Sequence, residues 1–96
     1  MAHIIIVAKV VAQQQFITTV KAEMLKLIAP TRKEVGCIEY TLHQDNQNPA
    51  VFVFYETWES AAAIAEHIGS EHYKAYARAL EGLLEDKIVN KMTRIA

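Results

Sequence analysis

The chain contains few of the residues that mark exported, disulfide-linked or membrane proteins. Its 96 residues include one cysteine, three glycines and two prolines, and the formal net charge is −1. Because the lone Cys37 has no partner in the chain, an internal disulfide is excluded and a reducing compartment, the cytoplasm, is expected. The apolar run Ile4–Ala8, which Lys9 follows, is too short for a signal peptide or a membrane span. The basic residues are scattered, so neither nucleic acid nor a membrane is expected as a partner.

Composition predicts one small globular domain that spans residues 1–96. Hydrophobic residues make up 52% of the chain and charged residues 22%, which is typical of a folded domain rather than a disordered one. A chain of this length buries only about 60–65% of the surface that its unfolded form exposes. We therefore expect the protein to complete its core by pairing with a second copy, as a homodimer.

The first half of the chain predicts a strand followed by a helix. The β-branched run His3–Val11 is typical of a strand. From Gln13 the apolar residues recur at three- and four-residue steps, which predicts an amphipathic helix. Its apolar stripe comprises Phe16, Val20, Met24 and Leu27 or Ile28. Pro30 is expected to kink this helix or to restart it, and Gly36 is expected to end it.

Two strands joined by a turn are predicted next. The segment Cys37–Asp45 alternates apolar and polar residues, and the turn sequence DNQNP leads into VFVFYETW, Val51–Trp58. These strands are expected to pair antiparallel. In the second of them, alternation places Phe52, Phe54, Glu56 and Trp58 on one face and Val51, Val53, Tyr55 and Thr57 on the other. Since both faces are largely apolar, helices should cover one face and another layer should cover the opposite face.

The remaining segments predict two helices and a last strand. Ser60 can cap a helix over Ala61–Ile68 that Gly69 ends, and Ser70 can cap the next one. The apolar stripe of this next helix comprises Tyr73, Tyr76 or Ala77, Leu80, and Leu83 or Leu84. A last strand is expected within Lys87–Ile95. The order β-α-β-β-α-β predicts an α+β, ferredoxin-like fold with both helices on one face of an antiparallel sheet.

Several short motifs also carry a resemblance to a known family. They are Gly36-Cys37, Glu56-Thr57-Trp58, His67 and Ser70-x-His72-x-x-Ala75-Tyr76. With the element order, they resemble the antibiotic biosynthesis monooxygenases, specifically the small quinol monooxygenases. The resemblance implies a dimeric α+β barrel with one apolar pocket per subunit. It also implies oxidation of a small phenol or quinol by dioxygen, without a metal or another cofactor.

Such chemistry requires a base that ionises the phenol, and two histidines are candidate catalytic residues. His67 lies next to Ile68 and three residues after Ile64, so its imidazole faces the sheet either as a structural group or as a pocket base. His72 lies at a helix start, where the helix dipole favours the neutral, base-competent imidazole; an exposed capping role is the alternative. His72 and Tyr76 are four residues apart and share a helix face.

The expected substrate-binding residues are Phe54, Glu56, Trp58 and Tyr76. Each has a structural alternative: Tyr76 is also suited to the core, and Trp58 to anchoring the following helix. Glu56 either is buried, which would raise its proton affinity, or meets water or a basic partner across the dimer. A metal site built from the two histidines with Glu66 or Glu71 is not expected, because no HExxH-type spacing supports it.

Two further functional classes remain open from the sequence. A phospho-autoinducer isomerase branch of the family resembles the segment from the third strand to His72-Tyr73-Lys74, and this reaction on a small phosphorylated ketone would require cationic phosphate contacts. The candidate cations are Lys9, Lys74, Arg78 and Arg94. A non-catalytic dimeric module that binds a small ligand is the other alternative.

Overall fold

A computed structural model describes residues 2–96. The elements, in chain order, are β1 Ile4–Ala12, α1 Ile17–Arg32, β2 Cys37–Gln44, β3 Val51–Trp58, α2 Ala61–Ile68, α3 Glu71–Ala79 and β4 Leu84–Met92, with a short 3-10 turn at Gln14–Phe16 before α1. Strand β1 begins and ends one residue later than the predicted His3–Val11, and α2 has the bounds that the sequence predicted. No helix within residues 2–96 combines the length and apolar character needed to span a membrane.

The four strands form one antiparallel sheet in the order β2-β3-β1-β4. With the helices inserted between β1 and β2 and between β3 and β4, this is the ferredoxin-like topology that the element order predicted. Asp45 shapes the β2–β3 turn, since its carboxylate accepts hydrogen bonds from the backbone amides of Gln47 and Asn48 at 3.0 and 2.7 Å. The turn sets the register that places Tyr40 opposite Glu56.

The two faces of β3 have different environments. Phe52, Phe54, Glu56 and Trp58 are buried, whereas Val51, Val53, Tyr55 and Thr57 on the other face are partly exposed. The buried face packs against residues of α1 and α2, among them Val20, Met24, Leu27 and Ile64. Alternation therefore identified the two faces correctly, and the helices cover one of them. The opposite face of the sheet remains open in a single chain.

Helix α1 continues through Pro30 as one helix, so of the two alternatives at this residue, a kink or a restart, the restart is wrong. The helix ends at Arg32, before Gly36; the amide of Lys33 donates to the carbonyl of Pro30, and the amide of Glu34 donates to the carbonyl of Thr31. Pro30 lies in the last turn, where the loss of one intrahelical hydrogen bond interrupts little of the helix. Gly36 instead lies in the turn that leads into β2.

The last helix and the last strand differ from their predicted bounds. Helix α3 ends at Ala79, and Leu80 is its C-cap, so Leu83 and Leu84 do not belong to the helix. Gly82 adopts a φ of 76°, a conformation that glycine adopts readily and that reverses the chain here. Because the chain reverses at Gly82, β4 begins at Leu84 and ends at Met92, earlier than the predicted Lys87–Ile95.

Gly36 provides a test of how closely the α1–β2 turn packs on α2. A methyl group added at Gly36 would overlap Cβ of Ala63. We expect Gly36→Ala to lower the free energy of unfolding by about 1–3 kcal/mol through this overlap. In urea unfolding, the double variant Gly36→Ala/Ala63→Gly should recover most of the loss, as a positive coupling in a double-mutant cycle. Gly69→Ala is the control, since its Cβ would come no closer than 3.4 Å to the Ala65 carbonyl and 3.8 Å to the Glu66 carbonyl. Additive effects of the two substitutions would contradict the overlap.

Candidate active site

A small cavity lies between the buried face of the sheet and helices α2 and α3. Its volume is about 60 Å³. Four aromatic side chains contribute to its wall: Tyr40, Phe54, Tyr73 and Tyr76. The polar side chains that line it are Glu56 and His67, together with Lys87 from β4. An imidazole and a carboxyl group are thus enclosed with aromatic rings, an arrangement suited to acid–base chemistry on a small apolar molecule.

Glu56 is a buried carboxyl group on the cavity face of β3. Only 5% of the residue is exposed, and its Oε1 accepts a hydrogen bond from Nε1 of Trp58 at 2.8 Å. Burial raises the pKa of Glu56 to about 7, although the Trp58 hydrogen bond and the charge of Lys87 oppose this rise. Of the two alternatives for Glu56, the structure selects the buried one. Its carboxyl group can therefore either hold or release a proton near neutral pH.

His67 is the buried imidazole of the cavity. It lies in the last turn of α2 with 4% of the residue exposed. Its ring lies 4.8 Å from that of Trp58 and 4.9 Å from that of Tyr73, measured between ring centres. Burial lowers the pKa of His67 below its usual 6.5, while the hydrogen bond and the charge of Glu34 oppose the shift. The neutral imidazole is favoured, which is the form that accepts a proton.

Glu34 connects the two histidines. Its Oε2 lies 2.7 Å from Nδ1 of His67 and 2.6 Å from Nε2 of His72. Glu34 belongs to the α1–β2 turn, where its amide donates to the carbonyl of Thr31. The junction of α2 and α3 brings the histidines together, because the Ser70 hydroxyl caps α3 and also donates to the carbonyl of His67 at 2.6 Å.

The same three side chains provide a donor set of two imidazoles and one carboxylate. Their nearest ligand atoms all lie within 4.8 Å of one another. In a tetrahedral zinc site with bonds of about 2.0–2.1 Å, ligand atoms are about 3.3 Å apart. The distances of 2.6 and 2.7 Å from the Glu34 oxygen are shorter and are typical of charge-assisted hydrogen bonds. These contacts therefore fit hydrogen bonding better than metal coordination.

Neither Glu66 nor Glu71, the carboxylates that the sequence placed beside the histidines, contacts an imidazole. Glu66 is exposed, and Glu71 is exposed with its carboxylate 3.9 Å from Nζ of Lys74. Sequence proximity suggested these two residues because each adjoins a histidine. The carboxylate that contacts both histidines is Glu34, which precedes His67 by 33 residues and His72 by 38.

The structure brings together most of the residues that the sequence singled out. Phe54, Glu56, His67 and Tyr76 line the cavity. Trp58 is completely buried behind them and contacts the cavity through Glu56 rather than by lining it. His72 also lies outside the cavity wall and is connected to it through Glu34, which contacts the lining residue His67. The geometry therefore separates the two candidate bases, and only His67 faces the cavity.

Four residues of the site were not predicted from the sequence: Glu34, Tyr40, Tyr73 and Lys87. For Tyr40 a signal was available, because the antiparallel β2–β3 hairpin pairs it with Glu56 once the register is known. Tyr73 was treated only as part of an apolar stripe. Nothing in the local sequence of Glu34 or Lys87 indicates a position near the cavity, because long-range packing brings both of them there.

The fold and the cavity together define the class of protein. It is a ferredoxin-like α+β domain whose sheet and helices enclose an aromatic cavity with a carboxyl group and an imidazole in its wall. The family model described as antibiotic biosynthesis monooxygenase matches residues 3–79. The chain belongs to this family, as the sequence motifs indicated.

Individual relatives are similar over much of the chain. An uncharacterised Synechocystis protein is 30% identical over 69 residues, which are 72% of this chain and 47% of that protein, so the match spans about half of the relative's length. A Mycobacterium tuberculosis protein, named as a proposed monooxygenase, is 30% identical to this chain. The match covers 82% of this chain and 77% of that protein. A Pseudomonas aeruginosa protein of known crystal structure is 30% identical with a TM-score of 0.96, covering 100% of this chain and 97% of that one.

Proposed function

We propose that this protein is a cofactor-independent monooxygenase that oxidises a small quinol or phenol with dioxygen. The observation that carries the proposal is that His67 and Glu56 face one aromatic cavity. Membership of the antibiotic biosynthesis monooxygenase family supports the reaction class. In this role His67 is the general base, Glu56 is the acidic group beside it, and Phe54 and Tyr76 contact the substrate ring.

The proposed reaction balances without an additional reductant. A quinol and dioxygen yield a hydroxyquinone and water, so the substrate supplies all four electrons that reduce the dioxygen. Neutral His67 accepts the hydroxyl proton, and the resulting phenolate transfers electrons to dioxygen. The protonated carboxyl of Glu56, which its raised pKa maintains up to about pH 7, donates a hydrogen bond to the developing oxyanion. Trp58 holds that carboxyl through Oε1, at 2.8 Å.

Substrate entry requires movement at the mouth of the cavity. The cavity volume of about 60 Å³ is well below the roughly 300–1,000 Å³ of typical small-ligand pockets. Ile68, which also contributes to the cavity lining, is 53% exposed. The Nζ of Lys87 lies 3.4 Å from the Tyr73 hydroxyl and 5.9 Å from the centre of the Tyr73 ring. These exposed side chains can swing outward without disturbing the core. We propose that they admit the substrate.

The isomerase alternative has less support from the cavity. A phosphorylated substrate requires several cationic contacts. Within the part of the chain described, Lys87 is the cation that lines the cavity, and the candidates Lys9, Lys74, Arg78 and Arg94 do not. A single lysine at the mouth is a weak phosphate site. The third alternative, a non-catalytic binding module, differs from both enzymes in that it would bind a ligand without turnover.

We further propose that the open face of the sheet pairs with a second copy in a homodimer. This face carries the partly exposed Val53 and Tyr55, and the neighbouring Ile38 is 49% exposed. A groove of about 630 Å³ lies over the same face, between the strands and the C-terminal residues Thr93–Ala96. An apolar sheet face of this kind is suited to a partner sheet. Sedimentation equilibrium of the purified protein tests the proposal, and a monomer at micromolar concentration would contradict it.

Oxygen uptake with a panel of naphthoquinols and catechols tests the proposed activity. The assays should contain a chelator and should be compared with enzyme-free controls for autoxidation. We expect saturable uptake by at least one quinol and a hydroxylated quinone as its product. A phosphorylated ketone should give neither product nor a thermal shift. Turnover of that ketone would support isomerisation instead, and ligand binding without turnover would support a binding module.

Filling the cavity should lower turnover while preserving the fold. Ala8 lies on β1 with its methyl group in the cavity wall. Ala8→Leu adds an isopropyl group to this space, so we expect quinol turnover to fall at least about tenfold, with a stability cost of about 1–3 kcal/mol from overpacking. Ala65→Leu, on the exposed side of α2, is the matched control and should retain activity. Full turnover by a folded Ala8→Leu variant would place the reaction outside this cavity.

A further inference from the structure

The Glu34 carboxylate makes an unusual double contact. One oxygen, Oε2, faces Nδ1 of His67 and Nε2 of His72 at hydrogen-bonding distance. The side chain of Glu34 is only 16% exposed, that of His67 5% and that of His72 26%. Three segments of the chain thus meet at one partly buried oxygen, and neither Glu34 nor His72 lines the cavity.

The chemistry of the carboxylate fixes the position of the hydrogens. An ionised carboxylate has no hydrogen to donate, so both imidazole nitrogens that face Oε2 must donate to it. A neutral imidazole has a single N–H group. When Nδ1 of His67 carries that hydrogen, Nε2 retains a lone pair. No group within residues 2–96 forms a hydrogen bond with Nε2 of His67, and this nitrogen is not sealed within the interior.

We infer that Glu34 is a positioning residue, which holds His67 in the tautomer with hydrogen on Nδ1 and leaves the Nε2 lone pair directed to the cavity. The inference rests on the proposed function for its catalytic consequence, although the tautomer itself can be measured independently. His72 has a supporting role, because its donation to the same oxygen orients the Glu34 carboxylate. This assignment gives the two histidines different tasks: His67 accepts the substrate proton, and His72 holds the group that orients His67.

The wall around His67 reinforces this arrangement. The rings of Tyr40 and Trp58 lie 5.6 and 4.8 Å from the imidazole, between ring centres, and Tyr73 lies on another side at 4.9 Å. These contacts restrict rotation of the imidazole. A 180° flip of the ring about the Cβ–Cγ bond would place Cδ2 instead of Nδ1 opposite Glu34 and would break this hydrogen bond. The Glu34 hydrogen bond and the aromatic packing together favour one orientation.

Nitrogen-15 NMR of the histidine side chains tests the assignment directly. In the wild-type protein at neutral pH, we expect Nδ1 of His67 to have the signal of a protonated nitrogen and Nε2 that of an unprotonated one. Glu34→Gln keeps the shape but removes the charge, so both signals should move toward the average of the two tautomers. Glu66→Gln is the matched control, because Glu66 is exposed beside His67. Hydrogen on Nε2 in the wild type, or unchanged signals in Glu34→Gln, would overturn the inference.

Kinetic and metal measurements complete the test. For a quinol that the wild type oxidises, Glu34→Gln should lower kcat at least about tenfold, by analogy with the loss of tautomer control in catalytic triads, and should leave KM nearly unchanged. A changed KM with an unchanged kcat would contradict a positioning role. If the wild type oxidises none of the quinols, the proposed function fails, while the NMR result still decides the tautomer. Stoichiometric Co²⁺ binding with tetrahedral absorption, lost in Glu34→Gln, would overturn the hydrogen-bonded assignment in favour of a metal centre.

Discussion

Replacing His67 with alanine is expected to lower the rate of quinol oxidation by about 10²- to 10⁴-fold, the usual contribution of a general base. The imidazole is the cavity group that the geometry best prepares for this role, because burial keeps it neutral and Glu34 engages Nδ1. His72→Ala should have a smaller effect, since His72 lies outside the cavity wall and acts through Glu34. Oxygen uptake at saturating quinol measures both effects.

His43→Ala is the matched control for these variants. His43 is an exposed residue of β2 that contacts Thr41, so its removal should leave the rate unchanged. Thermal unfolding of each variant establishes that the fold is intact before rates are compared. Unchanged turnover in a folded His67→Ala variant would exclude this histidine as the base. An effect of His72→Ala larger than that of His67→Ala would reverse the roles assigned to them.

Glu56→Gln is expected to change how stability depends on pH. The pKa of Glu56 is raised from 4.5 to about 7 in the folded protein. Between pH 4.5 and about pH 7 the folded protein holds a proton on Glu56 that the unfolded chain has released. The free energy of unfolding therefore falls as the pH rises through this range. Glutamine has no such proton and can still accept the Trp58 hydrogen bond. Relative to the wild type, Glu56→Gln should therefore gain about 2–3 kcal/mol between pH 5 and pH 8.

Urea unfolding at these two pH values measures this gain. Comparison with the wild type removes the opposite contribution of His67, whose lowered pKa makes the folded state more stable as the pH rises. Glu59→Gln, at an exposed position just after β3, is the control and should show no comparable pH-dependent gain. A constant difference between Glu56→Gln and the wild type from pH 5 to pH 8 would show that Glu56 titrates as an ordinary carboxyl group.

The prediction of elements was most accurate where the signal is local. Ser60 and Ser70 each accept the expected capping hydrogen bond, from Ala63 and Tyr73. Residue alternation also separated the two faces of β3 correctly, and the structure buries the face that carries Glu56. The predictions were wrong where a local rule competed with the surrounding chain: α1 does not restart at Pro30, and the turn at Gly82 starts β4 early.

The amino-acid sequence alone determined the element order, the ferredoxin-like fold, the family and four of the cavity residues, namely Phe54, Glu56, His67 and Tyr76. Periodicity, capping and turn chemistry act over a few residues, so they can be read directly from the chain. Only the tertiary structure decided that His67 faces the cavity and His72 does not, and that Glu34 joins them across 33 and 38 residues. Such contacts depend on how elements that are distant in the sequence pack together. The same packing buries Glu56 and His67, and this burial raises the pKa of Glu56 and lowers the pKa of His67.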